Sequence, residues 1–299
     1  MTTADWLVPL FFLVALPTLV VAWTAGLRGI RPALALVRRR FQVYTSYPFA
    51  VFATLAHGLV LSLVLIALAI YVFPEFHGLE TSASDADVIT FLTVGLIAWP
   101  AIWEAYELTH RNIRAEQTTG IFETLLATPV GVRILPLAYL FMTIPVALVV
   151  ATVAYFLFTH FGGVALPIDG WVQALNVVTV LTTGLFMTWG LGLFLGGLTT
   201  MYKEIGPVGG LLKMIMLVFS NVYIQIGLFP QWVQAASNFL PLTWAFASIR
   251  EVFAGEPISQ DLGLYLVFLG YTVALIIAGL AVFGRSIERA RQDGTTAGY

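Results

Sequence analysis

The sequence contains no cysteine, and only 10% of its 299 residues are charged. The first absence removes disulfides, thiolate catalysis and cysteine-ligated metal sites from consideration. The second sets the chain apart from soluble globular domains, which carry roughly 25% charged residues. Hydrophobic residues make up 59% of it and the mean hydropathy is +0.91, so a water-soluble fold would have too little polar surface to cover its core. Lysine is scarce as well. Lys203 and Lys213 are the two lysines among fourteen basic residues, a bias that hints at a GC-rich prokaryotic genome. No HExxH spacing, paired metal site or nucleophile with its base is present, so enzymatic readings have little to stand on.

Long apolar runs are what the sequence does have. A helix crossing hydrocarbon roughly 30 Å thick needs about 20 apolar residues, and seven stretches qualify: 6–26, 47–73, 88–108, 134–160, 171–199, 208–229 and 262–284. They predict an all-α polytopic membrane protein. Pro136 and Pro145 mark kink sites in the fourth stretch. Basic residues set the orientation. Arg28, Arg31, Arg38, Arg39 and Arg40 follow the first stretch, and Arg111, Arg114 and Arg133 separate the third from the fourth. Lys203 and Lys213 flank the start of the sixth, and Arg285, Arg289 and Arg291 follow the seventh. With these segments in the cytoplasm, Arg250 is the one basic residue outside, and Glu75, Glu80, Asp85, Asp87 and Asp169 fall in outer loops. The N-terminus is then outside and the C-terminus inside. A cleaved signal peptide is the competing reading of 6–26. The preceding MTTAD has no basic residue, and the run exceeds the about 7–15 residues of a signal core, which favours a retained span.

Three segments are neither span nor ordinary loop. In residues 28–46, Ile30, Leu34, Val37 and Phe41 fall near one helical face and Arg31, Arg38 and Arg39 on another. That pattern fits a helix in the cytoplasmic interface or, equally, a basic loop. In 110–133, Thr118 or Thr119 can cap a short helix whose stripe is Ile121, Phe122, Leu125 and Leu126, ended by Pro129. Its partner is either lipid or a cytoplasmic protein with a groove. Residues 230–260 fit two short helices separated near Asn238–Pro241, dipping into the outer leaflet, with Trp232 and Trp244 at the interface.

Buried polar groups are few. Glu104 and Glu107 lie three apart near the inner end of the third stretch and read as interfacial carboxylates reaching water or Arg111. His57 sits alone in the second stretch and His160 at an outer boundary. Asn176, Asn221, Gln225, Thr182 and Thr183 are candidates for a polar path, with interhelical hydrogen bonding as the alternative. Gly190, Gly192, Gly196 and Gly197 crowd the fifth stretch, and Gly192 with Gly196 permits close helix approach. A retinal protein would need a lysine in 262–284, and none is there.

Two of these segments together resemble a known family. Glu116–Pro129, EQTTGIFETLLATP, is similar to the cytoplasmic motif of type-2 ABC exporter permeases, E-R-E-x-G-T-x-E-x-L-L-x-T-P, with Gly120, Glu123, Leu125, Leu126, Thr128 and Pro129 in register. The segment 238–253, NFLPLTWAFASIREVF, resembles the family's signature before the final span: Pro241, Leu242 and Thr243 align, Trp244 stands for the usual Tyr, and Arg250 matches the basic residue. Thr118 stands where Glu is usual, which leaves Glu116 as the acid of that pair.

The resemblance implies a six-span exporter core at 47–290, preceded by an extra N-terminal transmembrane helix at 1–27 and followed by a cytoplasmic tail at 291–299. It implies a connecting helix at 28–46 carrying Arg38, Arg39 and Arg40, a coupling helix at 118–128, and external re-entrant helices at 230–256. The extra helix must lie outside that core. The chain would be a non-catalytic permease that pairs as a homo- or heterodimer in the plasma membrane, surrounded by lipid and without nucleic acid. It would bind no cofactor itself, with ATP and Mg on a separate cytoplasmic ATPase, consistent with the absence of a GxxxxGK[ST] loop. Its activity would be outward movement of a hydrophobic or amphipathic compound. The competing readings are a permease-like scaffold without transport and an ion-coupled secondary transporter.

Overall fold

The computed structural model describes residues 3–24, 32, 34–39, 42, 46, 49, 85–120, 122, 124, 134–202 and 206–293. Every regular element among them is helical. In chain order they are α1 (Ala4–Thr24), α2 (Asp85–Thr118), α3 (Leu135–Phe156, prolonged by a π turn at Leu157–Phe161), α4 (Gly170–Tyr202), α5 (Gly206–Phe219), α6 (Gln231–Ser237), α7 (Pro241–Phe253) and α8 (Leu262–Asp293). Among the described residues four helices are long and apolar enough to cross a membrane: Val88–Thr118, Leu135–Phe161, Gly170–Tyr202 and Leu262–Ala290. Ala4–Thr18 and Pro207–Phe219 are shorter apolar stretches. Apart from residue 49 the stretch 47–73, with His57, lies outside the described residues, as does the tail beyond residue 293.

Helix α4 is the hub, against which α1, α2, α3, α7 and α8 all pack. Of its most apolar stretch 89% is buried, against 28% for that of α8. A helix apolar on all sides must be surrounded by other helices or by lipid, and glycines decide which neighbours approach α4 most closely. Gly184, Gly192 and Gly196 face α2, where added Cβ atoms would meet Ile102, the Tyr106 main chain and Ile113. Gly190 and Gly197 face α8 at the Leu275–Ile276 peptide and at Phe283, and Gly279 of α8 sits against the Gly190 carbonyl. The Gly192–Gly196 pair singled out in the sequence therefore seats α2, while a second set seats α8. Polar bonds finish these contacts. Thr188 Oγ1 donates to the Ile102 carbonyl, and Trp189 Nε1 donates to the Pro136 carbonyl at 2.9 Å. The Thr183 and Tyr265 hydroxyls are 2.8 Å apart.

Cross-contacts fix the direction of each helix. At one end Asp5 meets Ser259 and Asn176 meets Ile258. At the other Gln117 meets Thr200, and Gly197 meets Phe283. Helices α1, α2, α4 and α8 thus start at the Asn176 end, whereas α3 and α5 run the other way.

The structure departs from the sequence reading in two places. Helices α2 and α8 outrun their apolar stretches to Thr118 and Asp293, because the polar residues that follow contain good helix formers and no proline. The stretch 208–229 is not one helix. It stops at Phe219, turns through Ser220–Tyr223 with Asn221 in the left-handed region (φ 59°), and resumes as one 3-10 turn at Ile226–Leu228. The N-terminal helix, whose neighbours the sequence left open, packs on α4, and Leu16 and Val20 are buried in the same apolar cluster.

The glycine seats make opposite predictions for one substitution. Gly190→Ala would place its Cβ 2.7 Å from the Ile276 nitrogen, a main-chain atom that has no room to yield. It should lower stability in detergent by about 1–3 kcal/mol. Gly270→Ala, on α8 with open space around it, should raise stability by up to about 1 kcal/mol through helix propensity. Thermal unfolding of the two purified variants checks both signs.

Candidate functional site

The 238–253 motif forms a set of caps on main-chain carbonyls. Pro241 opens α7, where its missing N–H costs nothing, and Leu242 is buried beneath it. Thr243 Oγ1 donates to the Ser237 carbonyl at 2.7 Å, and Trp244 Nε1 donates to the Asn238 carbonyl at 2.9 Å. These two side chains close the end of α6. Ser237 Oγ donates in turn to the carbonyl of Phe219, the last residue of α5, at 2.6 Å.

Arg250 caps the break itself. Its NH1 donates to the Phe91 carbonyl, and its NH2 to the Asn221 and Val222 carbonyls, each at 2.8 Å. The guanidinium carbon stands 3.5 Å from the centroid of the Phe91 ring and 5.9 Å from that of Phe246. A buried charge is tolerated only when it is well solvated by the protein, and three carbonyl dipoles and two ring faces supply that here. Gly95 makes room for the break, since a Cβ there would run into the Val222 carbonyl oxygen. Asn221 keeps its turn by accepting the Ile226 N–H on Oδ1 at 3.1 Å. Gln225 takes part through its main chain, accepting the Leu228 N–H at 3.1 Å.

At the opposite end lies the first half of the 116–129 motif. Glu116 is buried and accepts the Tyr139 hydroxyl from the start of α3 at 3.3 Å. Gln117 Nε2 donates to Thr200 Oγ1 near the end of α4 at 2.6 Å. Thr118 and Thr119 sit where α2 ends. Both hydroxyls donate back to the Ala115 carbonyl, which closes α2. Gly120 then takes φ 72°, open to glycine at little cost, and the Thr124 N–H returns to the Gly120 carbonyl at 3.3 Å. Phe122 is buried beside this turn. Glu123, Leu125, Leu126, Thr128 and Pro129 lie outside the described residues.

Other predicted residues fall elsewhere. Residues 34–39 are helical, with Arg38 and Arg39 exposed; Arg40 is outside the described residues. Leu36, not Leu34, packs against the core. Asn176 is fully buried among α1, α4 and the corner before α8.

One feature was missed in the sequence. Trp99, Trp103, Tyr106 and His110 follow one another ring to ring along α2, stacked at 4.6 Å, tilted at 4.4 Å and stacked at 5.8 Å between centroids, and Gly209 of α5 sits against the Tyr106 hydroxyl. Beside the stack, Glu107 accepts from Lys213 Nζ of α5 at 2.9 Å and from Trp103 Nε1 at 3.2 Å, with Arg111 Nε at 3.9 Å. The aromatic spacing i, i+4, i+7, i+11 was the available signal.

A family model described as ABC-2 type transporter matches residues 31–254, which contain both motifs and stop short of α1 on one side and α8 on the other. The linearmycin resistance permease protein LnrN of Bacillus subtilis (strain 168) is 24% identical over 111 residues, 37% of this chain. The match spans 29% of that protein's length.

Removing the Arg250 cap should be felt at the break. Arg250→Met leaves the Asn221 and Val222 carbonyls without this donor, at about 1–3 kcal/mol each, and Arg250→Lys replaces a planar fork with one point charge. Both variants should unfold at lower temperature than the wild type and be cleaved near residues 220–225 in limited proteolysis, with Lys the milder of the two.

Proposed function

Because the chain belongs to the ABC-2 type transporter family, we propose that it is the transmembrane permease subunit of an ATP-driven exporter for a hydrophobic or amphipathic compound. In this reading ATP and Mg are held by a separate cytoplasmic ATPase and this chain is not catalytic. Two permeases, identical or not, form the unit in a prokaryotic plasma membrane.

The observation that carries the reading is that both motifs are fixed to one helix. Helix α2 ends at the Glu116–Gly120 turn, and near its start Phe91 receives Arg250. The turn after Gly120 is the beginning of the coupling helix at 118–128, and Glu123, Leu125, Leu126, Thr128 and Pro129 are its face toward the ATPase. Residues 28–46 brace it as the connecting helix through Arg38, Arg39 and Arg40. Helices α6 and α7 are the external pair, dipping into the outer leaflet. Exposed aromatic rings at the Asn176 end, namely Phe161, Trp171, Trp232 and Phe239, suit an outer interface, and exposed Arg111, Arg285 and Arg289 suit the cytoplasmic one. The N-terminus is then outside and the C-terminus inside, with seven spans in all. The printed name of LnrN, a resistance permease, fits outward movement of an amphipathic compound.

Two measurements test this. Purified chain reconstituted with its partner ATPase should hydrolyse ATP at a rate that depends on this subunit and should move substrate in vesicles. ATP hydrolysis without transport would instead favour a scaffold, and neither would end the proposal. Glu123→Arg should lower ATPase co-purification and subunit-dependent hydrolysis at least tenfold while the permease still purifies folded. Unchanged co-purification would remove Glu123 from the coupling face.

A further inference from the structure

Helix α1 lies outside the residues matched by the family model and carries two internal prolines, Pro9 and Pro17. Pro9 has no N–H, so the helical bond that residue 9 would give to the Asp5 carbonyl cannot form. The donor comes from another helix. Asn176 of α4 donates its Nδ2 to the Asp5 carbonyl at 3.2 Å, and also to the Val172 carbonyl one turn back at 2.8 Å. The other end of the same amide, Oδ1, accepts the Ile258 N–H at 3.0 Å. Ile258 belongs to the corner that joins α7 to α8. Ser259, its neighbour, donates to Asp5 Oδ1 at 2.7 Å. Asn176 is wholly buried, so without these partners its amide would be left unpaired away from water.

We infer that Asn176 is a docking key that recognises the proline-interrupted turn of α1 and, through the same side chain, fastens the corner between α7 and α8 onto α4. An amide is suited to this task because it offers a donor and an acceptor on one planar group. A carboxylate offers only acceptors, and an apolar residue offers neither. The contacts below the key continue the fit. Thr179 Oγ1 reaches the Pro9 carbonyl at 3.4 Å, the Phe12 ring meets Tyr265 edge-on at 5.1 Å, and Leu16 and Val20 are buried against the core. The docking site takes a transmembrane helix with an exposed carbonyl one turn before a proline, and the chain supplies that helix itself. Helix α1, the start of α4 and the 254–261 corner then form one rigid unit at the end of the molecule that carries α6 and α7. This holds whether or not the chain transports anything.

The test is a suppressor experiment on the full-length chain in detergent at pH 10, above the raised pKa that burial gives a carboxyl. Asn176→Asp keeps an oxygen for the Ile258 N–H and removes the donor for the Asp5 carbonyl. Its unfolding midpoint should fall by several degrees. Adding Pro9→Ala restores the helical N–H, and the double variant should recover at least half of that fall, while Pro9→Ala alone moves the midpoint little. An Asn176→Asp variant as stable as wild type, or one that Pro9→Ala does not help, would overturn the inference. Where Asn176→Asp gives no folded protein, crosslinking decides. The chain has no native cysteine, so Asp5→Cys with Ser259→Cys should be joined by a short thiol crosslinker in membranes, and Leu7→Cys with Ser259→Cys, Leu7 facing outward, should not. No joining of the first pair, or equal joining of both, refutes the docking.

Discussion

A main-chain carbonyl in apolar surroundings has no water to turn to, and leaving it without a donor costs on the order of a few kcal/mol. Helices solve this within themselves, so the constraint bites wherever the chain stops being a helix. The described residues answer it repeatedly with one side chain from a neighbouring element. Arg250 serves Asn221 and Val222; Ser237 serves Phe219; Thr243 and Trp244 serve Ser237 and Asn238. Gln173 Nε2 donates to the Val252 carbonyl where α7 is ending, and Asn176 does the same for the proline turn of α1.

Arg250 is the most expensive of these caps. Desolvating an ion costs several kcal/mol, and three charge-assisted hydrogen bonds return about 1.5–3 kcal/mol each. The two sides roughly cancel, so the guanidinium adds little net stability. What it adds is geometry. A planar fork with fixed N–H directions holds α2, the α5 break and α7 in one arrangement, and no apolar residue could reward that arrangement over its neighbours. An uncharged unit could fill the space without choosing the fold.

Much of the architecture was legible because hydrophobic length and proline are strong signals. The runs at 134–160 and 171–199 match α3 and α4 closely, and Pro241 marks the start of α7. The break in α5 was not legible. LLKMIMLVFSNVYIQIGLF is apolar enough to read as one span, and what interrupts it is a turn at Asn221 sustained by an arginine about 30 residues later. Asn176 and Asn221 looked like candidates for a polar path because an amide at membrane depth asks for a reason. Their partners here are the main-chain groups of other elements, which composition does not disclose. The glycines of α4 were read as general packing, and only the contacts divide them into one face for α2 and another for α8.

Helix α2 carries the consequence for function. From Phe91 to Glu116 it spans about 37 Å at 1.5 Å per residue, with Pro100 as its one internal proline. Its lower end is tied to α3 through Tyr139 and to α4 through Thr200, and its upper end to α5 and α7 through Arg250. Along its length it rests on glycine positions of α4, where close contact is made mainly by backbone and small groups. Between Glu116 and Phe91 the chain is one continuous helix, with no loop to absorb a displacement. The Phe91 end of α2 cannot shift without moving relative to the Arg250 guanidinium, which also holds the Asn221 and Val222 carbonyls. Under the proposed function an event at one face must reach the other, and Glu116 and Arg250, far apart in sequence, meet the two ends of this one helix.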